Sequence, residues 1–300
     1  RTAGQPTGRQ QSTVAAALAR AAAKTGKRVL LVEFESVSRA APLFGLADVG
    51  VVPQQVDERL WVRGFETIDS LHFFALQQLK IERIVRLIMR NETVRGFFMA
   101  MPAIKSVTFL YHLWRIAEEN GRNGDNKWDL VVCDLPTTGF VFGLYGVPTM
   151  VQQIFHLGPL ARVATGMGDF LYDTNRVGLV MVTLPEEMPV VETIEFVEAL
   201  RAKHGIRAAA TIMNGVVVAP ISADELPQAQ GALVASDTRA TVMAGMLQAA
   251  ELLLGRQQRA ARLEPMLTKA TAAPTLSLPH LFRRHLPLDS IDVLAQALLH

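Results

Sequence analysis

Hydrophobic positions along this chain follow two rhythms. Short apolar runs end on a polar or acidic residue, and longer stretches carry apolar residues three and four places apart. The first rhythm is that of buried parallel strands, the second that of helices with one apolar face. Residues 12–24 are rich in alanine and predict a helix, closed by Gly26 and Lys27 in the manner of a C′ glycine. Residues 28–33 (RVLLVE) predict a strand, 42–53 a loop, and 59–65, alternating around Trp61, another strand. A long helical region follows over 67–99, with Leu71, Ala75, Leu79, Ile84, Leu87 and Ile88 at near-helical spacing. Pro102 interrupts it, and 104–119 continues as a second helix with Phe109, Leu113 and Ile116 along one face.

The two rhythms then alternate. After a polar, Gly-containing break at 121–125, residues 128–134 (WDLVVCD) predict a strand, 151–171 a helix and 176–184 a strand. Residues 185–203 predict a helix with Glu186 and Glu187 near its positive end. Residues 206–213 predict a strand ending at Asn214, 223–263 a mostly helical stretch with breaks, 275–278 a short strand and 288–299 a closing helix. Such alternation predicts an α/β fold, a mostly parallel sheet with helices on both faces. The division expected is 1–58 for the N-terminal part of the α/β domain, 59–125 for an inserted helical subdomain and 126–300 for the rest. Ligands of such sheets sit at the carboxyl ends of the strands. Glu33, Asp134 and Asn214 are each predicted at such an end.

Composition narrows the choice. Half of the 300 residues are hydrophobic, enough for one large core or a core plus a helical subdomain. A net charge of +2 gives no electrostatic case for nucleic acid. Apolar runs such as 177–184 fall well short of the ~18–20 residues that span a bilayer. No signal-peptide pattern is visible, although residue 1 is Arg. The single cysteine, Cys133, excludes a disulfide framework or a cysteine-based zinc site within one chain, and the histidines lack metal-ligand spacing. A reducing, cytoplasmic setting is expected.

Several segments read as parts of one motif set. Residues 12–19 (STVAAALA) look like the end of a phosphate loop and the helix behind it. The strand ending at Glu33, followed by Phe34, Glu35 and Ser36, resembles a first switch that usually reads DxDP. Residues 134–140 (DLPTTGF) resemble a second switch, DxAPTGH. Ile212, Met213 and Asn214 resemble a strand whose Asn reads adenine, and 274–279 (PTLSLP) a segment packed near the base. Residues 60–120 are similar to a helical insertion. On these residues the chain resembles the arsenical-pump (anion-transporting) and tail-anchored-protein-targeting ATPases, which have a deviant Walker A loop within a P-loop NTPase-like fold.

The loop itself is degraded. A phosphate loop works through glycines whose N–H groups face phosphate, a lysine for the outer phosphates and a Ser or Thr for Mg²⁺. This chain reads AGQPTGRQQST over 3–13. Anchored on Ser12 and Thr13, the motif has Gln11 in the lysine's place, Gln10 for a glycine and Pro6 for the signature lysine. Anchored on Gly8 and Arg9, it has Arg for the lysine but Gln10 for the Ser or Thr. Pro6 also removes an N–H donor, and a planar guanidinium is not a compact ammonium. Taken as a site, the loop touches phosphate through Gly8, Arg9, Ser12 and Thr13; taken as structure, it is a polar lead-in with Ser12 as an N-cap.

The resemblance implies further roles. Glu35 would position the attacking water, Asp134 with Ser12 would hold Mg²⁺, Arg9 would stand in for the lysine, and Asn214 would pair with a purine edge. The structural alternatives are a solvated strand end for Glu33 and Glu35, and an Asn-Gly turn for Asn214. Gly139 would be a pliant switch position, and Phe140 departs from the family His. The lone cysteine does not supply the arsenical branch's cysteine cluster, and no Cys-x-x-Cys pair clamps a dimer.

The cofactors implied are ATP or ADP with Mg²⁺. The first reading is a dimeric nucleotide switch with weak or no hydrolysis, as a homodimer or as a heterodimer with an intact paralogous ATPase. The second is a working ATPase with Arg9 in the lysine's place. The third is a module that binds a hydrophobic helix or membrane segment without nucleotide, through the Met- and Phe-rich stretches 97–101 and 109–114; as plain structure these fill a core or a dimer interface.

Overall fold

The computed structural model describes residues 8–34, 38–79, 90–93, 96, 101–122, 127–232, 239–283 and 287–299. The chain divides into two compact units, one of residues 11–178 with 286–300, the other of residues 179–285 with 1–10. The sheets are mostly parallel and flanked by helices, as in P-loop NTPase-like folds.

In the first unit, helix α1 (Gly8–Lys24) leads into β1 (Val29–Glu33), followed by β2 (Gln54–Asp57) and β3 (Leu60–Gly64). Helices α2 (Thr67–Leu79) and α3 (Pro102–Arg122) precede β4 (Leu130–Asp134), and α4 (Thr138–Ile154) and α5 (Pro159–Leu171) follow it. The strand order is β2-β3-β1-β4. β1 is parallel to both neighbours and β2 is an antiparallel edge. Every residue of β1 is buried, as an apolar run covered on both faces requires. In α1, Ala16, Ala17 and Ala19 are fully buried; alanine favours the helix and keeps its packed face thin. Arg20 ties α1 to Asp57 and to Asp292 of the closing helix α9 (Leu288–Ala297), and Lys24 also pairs with Asp292 at 2.6 Å.

The helices α2 to α5 pack on one another. Gly166 of α5 packs against α3, where an added Cβ would lie 2.5 Å from Cζ2 of Trp114. Gly166→Ala is therefore expected to destabilise this unit by about 1–3 kcal/mol, the usual range for overpacking. Urea unfolding followed by tryptophan fluorescence checks it, because the three tryptophans, Trp61, Trp114 and Trp128, all lie in this unit. An unchanged midpoint would mean that the indole moves aside freely.

The second unit holds β5 (Leu179–Thr183), α6 (Glu187–His204), β6 (Ala208–Val216), α7 (Glu225–Ala232), α8 (Arg239–Thr271) and β7 (Thr275–Pro279). Its parallel sheet runs β5-β6-β7. Val190 of α6, Met213 of β6 and Ala260, Leu263 and Leu267 of α8 make one core cluster; Met181, Val197, Ala208 and Ala273 make another. No helix among the described residues is long and apolar enough to cross a membrane.

Four local expectations change. Pro102 opens α3 rather than interrupting a helix, since the first helical position needs no N–H. β2 is a strand where none was read, because its sequence, QQVD, is short and polar. The expected helix over 151–171 is two helices parted around Gly158, which has φ +94°. β6 runs past Asn214 to Val216, so Asn214 and Gly215 form an irregular point inside a strand and not a turn.

Candidate nucleotide site

Parallel pairing sets the strand ends level. Glu33 lies opposite Gly64 on one side and Asp134 on the other, so β1, β3 and β4 end in one row. Above that row α1 brings Ser12 to Asp134: Ser12 Oγ donates to Asp134 Oδ2 at 2.5 Å. Ser12 and Thr13 are almost wholly buried. A hydroxyl and a carboxylate are hard oxygen donors, the type Mg²⁺ takes in small number while keeping waters and phosphate oxygens. Among the described residues no group of three or more His, Cys, Asp or Glu gathers as a metal site. The Ser12–Asp134 pair therefore fits Mg²⁺ shared with a phosphate ligand.

The approach to that pair differs from a phosphate loop. Residues 8–11 are already helical, so Ser12 sits in the second turn of α1 and is not its N-cap. An α-helix leaves its first four N–H groups without a carbonyl partner, and here these belong to residues 8–11. Those four N–H groups are the donors that the described start of α1 offers an anion. Gln10 Oε1 in that turn is buried and has no hydrogen-bond partner among the described residues. The side chain of Arg9 lies outside the described residues, and so does the whole of Glu35.

Glu33 is not a solvated strand end. It is 2% exposed and accepts from Ser38 Oγ and from the N–H groups of Arg39 and Ala40, both at 2.8 Å. Ser38 Oγ in turn accepts from Ala41 N–H at 2.9 Å. With these bonds Glu33 anchors residues 38–41. The adjacent Cys133 thiol is pushed up to about 12 by burial and then by the Asp134 carboxylate, so it stays protonated and unreactive.

The second-switch segment folds at once into α4, with Thr137 as its N-cap accepting from Phe140 N–H at 3.3 Å. Gly139 is thus a helical residue, and an added Cβ there would lie 4.0 Å from Thr137 Oγ1. Phe140 has a task in packing. Its ring lies 4.1 Å from that of Phe34 at the end of β1; Phe34 stacks on Phe65 at 5.5 Å and meets Phe109 of α3 edge-on at 5.0 Å. Four rings thus bind the exits of β1, β3 and β4 to α3.

In the second unit Asn214 is 8% exposed, at the irregular point of β6. A side-chain amide offers a ligand one donor and one acceptor edge. Beside it Gly215 takes φ +82°, and an added Cβ there would lie 3.8 Å from the His280 ring. His280 N–H donates to Val216 at 2.8 Å, continuing β7. Phe282, 61% exposed, holds φ +47°, which costs a non-glycine residue strain. Its N–H donates to His280 Nδ1 at 3.1 Å, and the two rings lie 4.3 Å apart. Sequence reading passed over both rings; the signal was an exposed aromatic just after a strand-ending proline.

Residues 7–163, more than half of the chain, match the family model of the anion-transporting ATPases. Over 291 residues the chain is 28% identical to "ATPase BagA" of Mycobacterium tuberculosis (strain ATCC 25618 / H37Rv), covering 91% of this chain and 83% of that protein. The same identity and coverage hold for "Putative ATPase Mb3704" of Mycobacterium bovis.

Proposed function

This chain belongs to the anion-transporting ATPase family, and from that premise we propose that it is a dimeric, nucleotide-dependent switch with weak or no ATP hydrolysis. The observation that supports this reading is the part-buried Ser12–Asp134 hydrogen bond at 2.5 Å, two hard oxygen donors of the kind Mg²⁺ takes, behind an altered phosphate loop. ATP or ADP binds with Mg²⁺ on Ser12 and Asp134. Gly8, Arg9 and Thr13 face the phosphates, and Asn214 takes the purine edge. Glu35 is the acid for the attacking water, but Gln10 and Gln11 stand where a glycine and the lysine would be. Phosphoryl transfer depends on positioning and charge, so losing that lysine removes rate before it removes binding. The chain acts in the cytoplasm as a homodimer or beside an intact paralogue, and nucleotide shifts its helical layer between two states.

Calorimetry of ADP and ATP with Mg²⁺ tests the reading. The chain is expected to bind both, and Asn214→Ala to weaken both by about tenfold, the worth of one or two hydrogen bonds. Absence of binding on a folded sample would sink the switch. Robust Mg²⁺-dependent turnover by the chain alone, abolished by Glu35→Gln, would replace it with a working ATPase.

A further inference from the structure

The helical layer of the first unit contains polar groups that the nucleotide reading does not use. Arg63 stands one residue before the carboxyl end of β3, in register with Val32 and through it with Cys133. Side chains alternate along a strand, so Arg63 points to the face opposite Glu33 and Asp134. Among the described residues its guanidinium has no ion-pair partner. The one hydrogen bond it makes there runs from Nε to the Gly64 carbonyl, at 3.4 Å. Burial disfavours its charge.

His112 of α3 lies close enough to feel that charge. Burial first, and Arg63 second, hold its imidazolium down to about 4, so near neutral pH the ring is uncharged. A neutral imidazole has one donor and one acceptor. Both ring nitrogens are buried, and among the described residues neither has a hydrogen-bond partner. The rings of Phe65 and Phe73 stand 6.2 and 6.4 Å away. Phe65, two residues beyond Arg63 and so on the same side of the chain, is the ring that reaches His112; among the described residues a guanidinium fork without a carboxylate thus lies on the side of an imidazole without an acceptor, between aromatic walls. The group that satisfies both is planar or tetrahedral, carries negative charge and offers at least two oxygens.

We propose that Arg63 and His112 bind a small oxyanion, a carboxylate or a phosphate group, at a site separate from the Ser12–Asp134 pair. The anion enters beside the half-buried guanidinium. His112 turns about its soft Cβ–Cγ torsion to donate one N–H to it.

The test uses the whole chain with ¹³C at the histidine Cε1 positions, the His112 signal being assigned by its loss in His112→Phe. Inorganic phosphate and acetate are titrated against chloride at matched ionic strength. The expected result is a saturable His112 shift with at least one of the two anions. The ring's titration midpoint should then move upward, because a neighbouring anion favours imidazolium. Arg63→Met should weaken that anion by about tenfold or more, as loss of a charge-assisted bond does. Arg63→Lys, which keeps charge but not the fork, should fall between and serves if the methionine variant misfolds. Phosphate held only at the start of α1 would leave the His112 signal still. A His112 signal unmoved by both anions, or a response that persists in both Arg63 variants, overturns the proposal.

Discussion

Asp134→Asn should lower the affinity for Mg²⁺-ATP by about ten- to a hundredfold and leave metal-free ADP within about twofold. Asparagine keeps the size of the side chain and an oxygen that accepts from Ser12, so the bond at 2.5 Å has a neutral substitute. What is lost is the carboxylate charge. Hydrogen bonds and contacts made to a charged group are worth about 1.5–3 kcal/mol, which is the range stated. Calorimetry with and without Mg²⁺ separates the two ligands. An equal loss for both would show that Asp134 holds the strand end in place rather than the metal. No loss for either would put the metal elsewhere.

Phe109→Ala should reduce the stability of the first unit by about 3–5 kcal/mol, the cost of emptying a large, fully buried aromatic site. Phe109 is 0% exposed and meets the rings of Phe34 and Phe65 edge-on, at 5.0 and 4.9 Å, with Phe140 at 6.0 Å. Edge-to-face pairs add to the area term, so this ring holds α3 to two strand exits at once. Urea unfolding followed by tryptophan emission reads this unit alone. Phe109→Leu, which leaves a smaller void, should cost clearly less. A loss below about 1 kcal/mol for the alanine variant would be too small for a filled site, and would mean that the rings are not packed around Phe109.

The strands were legible because burial on both faces leaves an unbroken apolar run, as in Val29, Leu30, Leu31 and Val32. Ser12 and Asp134 were legible as partners because a helix after a degraded loop and a strand ending in Asp are both local patterns. Glu33 was not, since its burial depends on N–H groups of residues 38–40 folding back over it, which no spacing announces. Phe140 read as a lost histidine; only the ring positions of Phe34 and Phe109 show what it packs against. For Asn214 followed by Gly215 a turn stood as the structural alternative, because a strand that continues through a glycine at positive φ looks the same in sequence. Arg63 and His112 belong to different elements 49 positions apart (112 minus 63), and no local pattern joins them.

The ties of Arg20 and Lys24 to Asp292 have a consequence for synthesis. The first unit draws on residues 286–300, which emerge from the ribosome only after all of residues 179–285. A domain tends to fold as a unit as the chain grows, and here the unit made first is closed by a helix translated after the other unit. Nascent chains halted before Asp292 should therefore expose α1 with both basic residues lacking that carboxylate. The second unit, contiguous from β5 through β7, is free to finish ahead of the strands that precede it.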